Sequence, residues 1–321
     1  MLPSLRFAQR ATDGNPQSAF FKIADGRVTG FNGTIAMSAP LQLSFNAAPA
    51  AVPFVKAINA CEGVVSIAQE SAHKIIVTSG KFKASIPCIP IKEVQSVEPE
   101  GKVYGDVTNL VECFKVLRPF LVDEVDTGKD WSRNIRVSKG YAYVTDNTVL
   151  IQYWFGTVFP VPINIPLEAI SEVIHIPEKL ESVQMNENSI TFHFENGLWL
   201  RSQLNISPWP NIEAIIDKTF DFSKLSKITE EFREACLKLG KFGGKDHLEI
   251  YFRGTDMATS RKETNDIATI QIEAPASGCY AVKHLNKILN VATSIDFTSY
   301  PKPACFIGKN LRGIFVGVRE E

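Results

Sequence analysis

Histidine is the side chain that most often binds transition metals or transfers protons, and its spacing here argues against both roles. The five histidines are His73, His175, His193, His247 and His284, and no two lie within four positions of each other. Zinc sites use closely spaced pairs, so the common zinc motifs are missing from the sequence. His193 lies between two phenylalanines, and we interpret it as a residue that pairs across a sheet.

Cysteines could act as nucleophiles, metal ligands or disulfide partners. The six in this chain are Cys61, Cys88, Cys113, Cys236, Cys279 and Cys305. None forms a C-x-x-C pair, and most stand beside apolar residues, which is typical of reduced thiols in a protein core. The sequence therefore predicts a cytoplasmic protein without a disulfide framework.

One acidic stretch could bind a cation, and it contains Asp123, Glu124, Asp126 and Asp130. Aligned as a calcium loop, it has Gly128 at position six but Asn134 at position twelve, where a bidentate glutamate is required. A solvated loop explains the cluster better.

Phosphate-loop, dinucleotide, zinc-protease and nucleophile-elbow motifs are absent too, so we expect no cofactor, no metal and no catalytic residue. An enzyme with a scattered metal site at this loop is the least favoured alternative.

Composition excludes two further classes of protein. The 321 residues are 45% hydrophobic and 21% charged, with a formal net charge of −1, so the chain does not bind nucleic acid by overall charge. A local basic face on a near-neutral body remains compatible with these numbers. No apolar run is long enough to span a membrane, and the N-terminus does not resemble a signal peptide, so we expect no membrane partner.

The order of predicted elements repeats three times, although no stretch repeats letter for letter. Each repeat begins with an amphipathic helix and continues with strands, a second helix and a closing hairpin. The first helices are predicted at 2–12, 107–120 and 225–239. Asp106 is the predicted N-cap of the second of these, Ser223 is the predicted N-cap of the third, and Gly240 ends the third. The second helices are predicted at 51–60, 167–174 and 282–291.

Strand predictions complete the repeat. Between the helices they fall at 19–23, 27–36, 134–137, 141–144, 247–252 and 267–273, and the closing hairpins fall at 74–86, 190–203 and 304–318. Helices alternating with antiparallel hairpins predict an α+β fold. The linkers between repeats give three domains, at 1–98, 103–217 and 221–321.

Short motifs within this pattern resemble the beta subunit of bacterial DNA polymerase III, the sliding clamp. Residues 76–87, IVTSGKFKASIP, resemble that family's SGR-x-R-F-S-L strand, and residues 144–150, VTDNTVL, resemble its A-T-D-G-H-R-L stretch. Residues 209–212, WPNI, resemble its F-P-D-Y, and residues 314–319, IFVGVR, stand where the family has a short apolar strand before P-M-R-L. The chain is shorter than a typical clamp, so we interpret it as a divergent member, such as a phage-encoded one.

The resemblance implies a processivity factor and not an enzyme. In that family two subunits join head to tail, and their six domains close into a ring around duplex DNA, with helices inside and antiparallel sheets outside. The helices would then supply cations for phosphate contacts that do not depend on base sequence. The candidates are Arg6, Arg10, Lys56, Lys115, Arg118, Lys227, Arg233, Lys238, Lys283 and Lys287.

The resemblance also implies a pocket between the second and third domains. There the family binds short apolar peptides of DNA polymerase, clamp loader and other partners. The matching positions, called the predicted pocket below, are Thr145, Asn147, Leu150, Pro210, Ile215, Ile314 and Val316. Asn147 stands where the family has Gly, and Ala214 where it has Arg. Core packing is the alternative explanation for each of these residues.

The homodimer interface would join the closing strand of the first repeat to the third repeat of the other subunit. The resemblance places Lys81, Lys83, Ala84 and Ile86 on one side, and Leu237, Leu239, Glu263 and Asp266 on the other. Ala84 replaces a family Phe, which predicts a weaker interface. A clamp-like protein that binds such peptides without encircling DNA is a second alternative.

Overall fold

A computed structural model describes residues 1–13, 18–43, 45–105, 107, 109–124, 128–242, 249–272 and 276–319. Within these ranges the chain forms seven α-helices and 23 short strands. The predicted cap Asp106, the acidic residue Asp126 and His247 lie outside the described residues.

The first repeat has the predicted order of elements. It comprises α1 (Leu2–Gln9), β1 (Lys22–Ala24), β2 (Arg27–Phe31), β3 (Ile35–Pro40), β4 (Ala48–Pro49), α2 (Ala51–Asn59), β5 (Ser66–Ser71), β6 (Lys74–Ser79) and β7 (Phe82–Ile89). At the first hairpin, Asp25 and Gly26 both have positive φ, as the predicted two-residue turn requires.

The second repeat follows the same order. It comprises β8 (Lys102–Tyr104), α3 (Leu110–Leu117), β9 (Asn134–Ser138), β10 (Tyr141–Thr145), β11 (Val149–Trp154), β12 (Ile163–Pro166), α4 (Leu167–Val173), β13 (Leu180–Met185), β14 (Ser189–Phe194) and β15 (Trp199–Gln203). A further helix that the sequence did not predict, α5 (Glu213–Thr219), comes before the third repeat.

The third repeat comprises β16 (Ser226–Lys227), α6 (Glu230–Leu239), β17 (Glu249–Phe252), β18 (Asp256–Ala258), β19 (Thr269–Gln271), β20 (Gly278–Ala281), α7 (Val282–Leu289), β21 (Ala292–Ile295), β22 (Ala304–Gly308) and β23 (Leu311–Phe315). The predicted start of its first helix was wrong. The side chain of Thr229, and not of Ser223, caps α6 by accepting the Phe232 N–H at 3.1 Å. The residues before it form β16 instead.

The chain divides into two compact units, residues 1–111 with 165–206 and residues 112–164 with 207–321. The middle repeat contributes to both units, so the three domain boundaries stay a prediction. In the first unit, one sheet has the order β1-β2-β3-β15-β14-β13-β8 and a second has the order β4-β7-β6-β5. Helix α1 packs on β2, β3 and α2 through its buried Leu5, Phe7 and Ala8.

The second unit contains the residues of the predicted pocket. Its larger sheet has the order β12-β9-β10-β11-β23-β22-β21-β16, and its smaller sheet has the order β19-β18-β17-β20. Helix α5 packs on β23, while α6 and α7 pack on each other and on neighbouring strands. No helix in the described part of the chain is long and apolar enough to cross a bilayer.

Candidate functional site

Two residues of the predicted pocket meet at the centre of the larger sheet of the second unit. Leu150 of β11 stands directly opposite Ile314 of β23, and both side chains are buried. They pack in one cluster with Tyr143, Ile212, Ile216 and Cys305. Leu150 and Ile314 are called the pocket floor below.

Aromatic side chains that the sequence argument did not place in the pocket pack against this cluster. Tyr141, Trp209 and Phe220 are partly buried against it. Trp209 also contacts Trp131 edge to face, with ring centroids 6.4 Å apart. Trp209 was noticed only as part of a motif, and no spacing rule could have paired it with Trp131, which lies far away in the sequence in a 3-10 helix (Asp130–Arg133). Together they give the site large apolar surfaces.

Helix α5 forms one side of the site. The Ile212 N–H donates to the carbonyl of Pro210 at 2.8 Å where the helix begins. Ile212 and Ile216 point into the cluster, whereas Ala214 and Ile215 face solvent, with Ile215 48% exposed. This amphipathic arrangement leaves the apolar side chain of Ile215 on the outer face of a helix whose inner face packs with the floor.

The turn between β10 and β11 brings Thr145, Asn147 and Val316 together. Thr145 is buried, and its hydroxyl accepts the Asn147 N–H at 3.2 Å. Asn147 has a φ of 73°, which is the left-handed region that glycine and asparagine tolerate best. Its backbone therefore explains how asparagine can replace the family's glycine. The Val316 N–H donates to the carbonyl of Thr148 at 3.0 Å, and the Val316 side chain is 42% exposed.

The segment after β23 is held by an aromatic residue. The Tyr300 hydroxyl donates to the carbonyl of Val318 at 2.7 Å, and the Val318 N–H donates to the carbonyl of Cys279 at 2.8 Å. A Cβ on Gly317 would come within 2.7 Å of a Tyr300 ring carbon, so only glycine fits between them. These contacts fix the position of the neighbouring Val316.

Titratable groups in the cluster do not favour catalysis. Burial raises the pKa of the Tyr143 hydroxyl and of the Cys305 thiol, so both stay protonated and uncharged near neutral pH. Among the described residues, no three His, Cys, Asp or Glu side chains are grouped to hold a metal ion. In the acidic stretch, Asp123 pairs with Arg118 at 2.7 Å. What this surface offers chemically is apolar contact area.

The predicted DNA-contacting cations fall into two groups. Arg6, Lys56, Lys115, Lys238 and Lys283 are exposed on helices, although Arg6 donates to Asn59 Oδ1 at 2.7 Å and Lys238 pairs with Glu234 at 3.4 Å. The others are less exposed or placed differently: Arg10 pairs with Glu172 at 2.5 Å, Arg118 pairs with Asp123, and Arg233 donates to the carbonyl of Ala292 at 2.5 Å. Burial lowers the pKa of Lys287, with Lys283 acting in the same direction. Lys227 was wrongly placed on a helix, because it belongs to β16.

The predicted dimer-interface residues are only partly accessible. Lys81 and Lys83 are exposed, Ala84 is half-buried and Leu237 is 50% exposed. Ile86 and Leu239 are buried inside their own units, so as residues that contact a partner they were wrong choices. In the described pairings, residues 82–86 of β7 pair with β6 alone, because β4 reaches only Cys88 and Ile89 and the Ala50 N–H donates to the carbonyl of Pro87 at 2.9 Å. Among the candidates on the other side of the predicted interface, Asp266 already has a partner in its own chain, because its carboxylate pairs with Arg253 at 2.9 Å.

Comparison with solved structures decides the fold. The DNA polymerase III subunit beta of Pseudomonas aeruginosa matches with a TM-score of 0.81 at 12% identity, over 99% of this chain and 97% of that one. The chain has the fold of the bacterial sliding clamp. The same shares of both chains are covered for two other clamp structures. They are the Helicobacter pylori beta clamp bound to a DNA ligase peptide (TM-score 0.78, 12% identity) and the beta subunit of Streptococcus pyogenes (TM-score 0.77, 13% identity).

The clamp fold confirms the α+β class and the resemblance inferred from the motifs. No family sequence model and no curated protein sequence matches the chain. The fold match therefore covers 99% of the chain at only 12–13% sequence identity. A phage origin stays a prediction.

Proposed function

We propose that this protein is a DNA sliding clamp, a processivity factor that encircles duplex DNA and carries a DNA polymerase and other partners along it. The observation that carries the proposal is the clamp fold over 99% of the chain. As a replication accessory of this kind, it would act in the cytoplasm without catalysing a reaction itself. The partly buried aromatic residues Tyr141, Trp209 and Phe220, which pack against the buried pocket floor, add support, because a partner peptide with apolar anchors needs apolar surface of this kind.

The DNA contact would be weak and independent of sequence. Exposed cations on the helices, such as Arg6, Lys56 and Lys283, suit contacts with phosphates. Non-specific binding of this kind has a Kd of roughly 10⁻⁴ to 10⁻⁶ M and weakens with salt. A closed ring retains DNA by topology, so weak contacts suffice and still permit sliding. The net charge of −1 fits such a design better than a strongly basic body would.

Partners would insert a short peptide with apolar anchors onto the pocket floor. Ile215, next to the cluster member Ile216 on α5, and Val316, two residues after Ile314, offer exposed apolar side chains for such anchors. Buried apolar anchors in such pockets supply most of the binding energy of a peptide. The Helicobacter pylori clamp is bound to a DNA ligase peptide, which makes a polymerase or clamp-loader peptide a reasonable occupant here.

Ring closure would need two chains. The unpaired side of β7 is an open sheet edge, and a second subunit could cover it through the third repeat. Twofold rotation repeats that contact at the other end of each chain and closes the ring. Exposed Leu237 is the apolar residue we assign to the opposite side.

The native mass tests this assembly. We expect light scattering at micromolar concentration to give about 71 kDa, twice the chain mass of 35.6 kDa. Replacing Leu237→Glu should shift the mass toward the monomer, whereas the exposed control Lys302→Glu should not. A strict monomer for the natural chain would contradict the ring. Peptide binding by such a monomer would favour the alternative that the protein binds peptides without encircling DNA.

A further inference from the structure

A row of polar side chains continues from the pocket floor toward α5. Arg312 lies opposite Gln152, and Gln152 lies opposite Tyr143, on the adjacent strands β23, β11 and β10. The Gln152 amide donates to the Tyr143 hydroxyl at 2.9 Å, and Arg312 Nε donates to Gln152 Oε1 at 2.5 Å. One side of the Arg312 guanidinium is thereby fixed to the buried part of the sheet.

The other side of the same guanidinium reaches α5. Arg312 Nη2 donates to Asp217 Oδ1 at 2.5 Å, and the guanidinium lies 5.7 Å from the centre of the Phe220 ring. A forked side chain can make both contacts at once because its donors point in fixed directions. Arg312 therefore connects the sheet that carries the floor with the helix that forms one side of the site.

The floor and these polar residues share one face of the sheet. Arg312 is two residues from Ile314, and Gln152 is two residues from Leu150, so their side chains point the same way. Asp217 follows Ile216, which is buried in the cluster, and stands two residues after the exposed Ile215. A shift of Asp217 would therefore move Ile215 relative to Leu150 and Ile314.

The other described polar contacts of α5 are long or involve weak donors. Lys139 and Glu213 lie 3.9 Å apart, and the Lys139 side chain is largely exposed. The Cys305 thiol donates a weak hydrogen bond to the carbonyl of Thr219 at 3.4 Å. A helix of seven residues is not stable by itself, so its position depends on the contacts that hold it. The buried Ile212 and Ile216 fix which face of α5 is inward, and Arg312 adds a hydrogen bond from the sheet to the side chain of Asp217, which is 65% exposed.

We infer that Arg312 is a positioning residue for peptide binding: through Asp217 it sets the distance between the Ile215 side of the site and the pocket floor, and so decides which apolar anchor fits. The inference rests on the proposed function. It predicts that removing the Arg312 guanidinium, and with it the contacts to Gln152 and Asp217, changes the preference among apolar anchors more than it changes the free energy of unfolding.

The test compares Arg312→Met, Arg312→Lys and Asp217→Asn, with Lys218→Met as the matched control on the exposed side of α5. Two fluorescein-labelled hexapeptides serve as probes, identical except for Phe or Leu at the last anchor. Fluorescence anisotropy gives Kd for both, and urea unfolding gives stability. We expect Arg312→Met to weaken the better peptide roughly three- to tenfold and to reduce the Phe/Leu ratio. Arg312→Lys should restore only part of the affinity.

A double variant separates the residue pair from general damage. Arg312→Met combined with Asp217→Asn should bind no more weakly than Arg312→Met alone, because both remove the same contact. Asp217→Asn leaves the buried Gln152 contact intact, so it stays informative if Arg312→Met folds poorly. The inference is overturned if Asp217→Asn and Arg312→Lys keep the natural affinities and ratio. It is overturned together with the pocket part of the proposed function if the natural chain binds neither peptide.

Discussion

Asp146 Oδ2 lies 3.6 Å from Nδ1 of His284, and this contact joins the turn of the candidate pocket to helix α7. The other oxygen of the same carboxylate accepts the N–H groups of Thr148 and Val149, each at 2.8 Å. Asp146 therefore holds the turn that presents Asn147 while it faces a titratable ring. Lys283 and Lys287 on α7 also act on that ring.

The first prediction concerns pH. Burial lowers the pKa of His284 below its usual 6.5, Asp146 partly offsets this, and Lys287 and Lys283 reinforce it. Since the unfolded chain takes up this proton at higher pH than the folded chain, the free energy of unfolding should fall as pH drops below 6.5. His284→Gln should remove this contribution. NMR titration of His284, assigned with that variant, checks the direction; a pKa above 6.5 would show that Asp146 dominates instead.

The second prediction concerns the exposed apolar residues of the site. Ile215→Asp and Val316→Asp should each weaken apolar-peptide binding at least about tenfold, because a carboxylate would be desolvated against the floor. Both side chains are substantially exposed, so the free energy of unfolding should change by only about 0.5 kcal/mol. Val64→Asp, at an exposed valine in the first unit, is the control. If Val64→Asp weakens binding equally, the peptide does not bind at the surface of Ile215 and Val316.

The third prediction concerns the backbone at Asn147. Because its φ is 73°, Asn147→Gly should be close to neutral, and Asn147→Val should lower the free energy of unfolding by roughly 1–2 kcal/mol. Thr148→Val, the next position, is the matched control. Urea unfolding curves compare the three variants. A valine at position 147 that costs no more than one at 148 would be inconsistent with a left-handed turn.

The fourth prediction concerns the segment held by Tyr300. Gly317→Ala should lower the free energy of unfolding by roughly 1–3 kcal/mol, since the new methyl would meet the Tyr300 ring and the Cys279 carbonyl. Peptide affinity should fall as well because Val316 moves. Gly105→Ala is the control, as a Cβ there meets no atom within 4 Å. Similar costs at both glycines would show that the segment is loosely held.

Local signals in the sequence predicted much of the fold. Asp25-Gly26 and Lys139-Gly140 have the positive φ angles of tight hairpins, and the apolar spacing located α2, α4 and α7 closely. The start of α6 was missed because Ser223 and Thr229 are both good caps. Tertiary pairing of β16 with β21 then decided which one begins the helix.

The candidate site was predictable only where a motif carried it. Leu150 and Ile314 came from motif positions and do face each other. Trp131 and Arg312 were missed, because their roles depend on contacts with Trp209 and Asp217 across distant parts of the chain. Ile86 and Leu239 were assigned to a surface although they are buried, since a motif gives the strand or helix but not the direction of each side chain.

Topological retention on DNA tests the central claim most directly. The protein is loaded onto nicked circular DNA with a clamp loader, free protein is removed by gel filtration in moderate salt, and half of the sample is linearised with a restriction enzyme. A ring that encircles DNA should stay on the circle and be lost from the linear molecule by sliding off its ends. Equal retention on both forms, or none on either, would contradict the account.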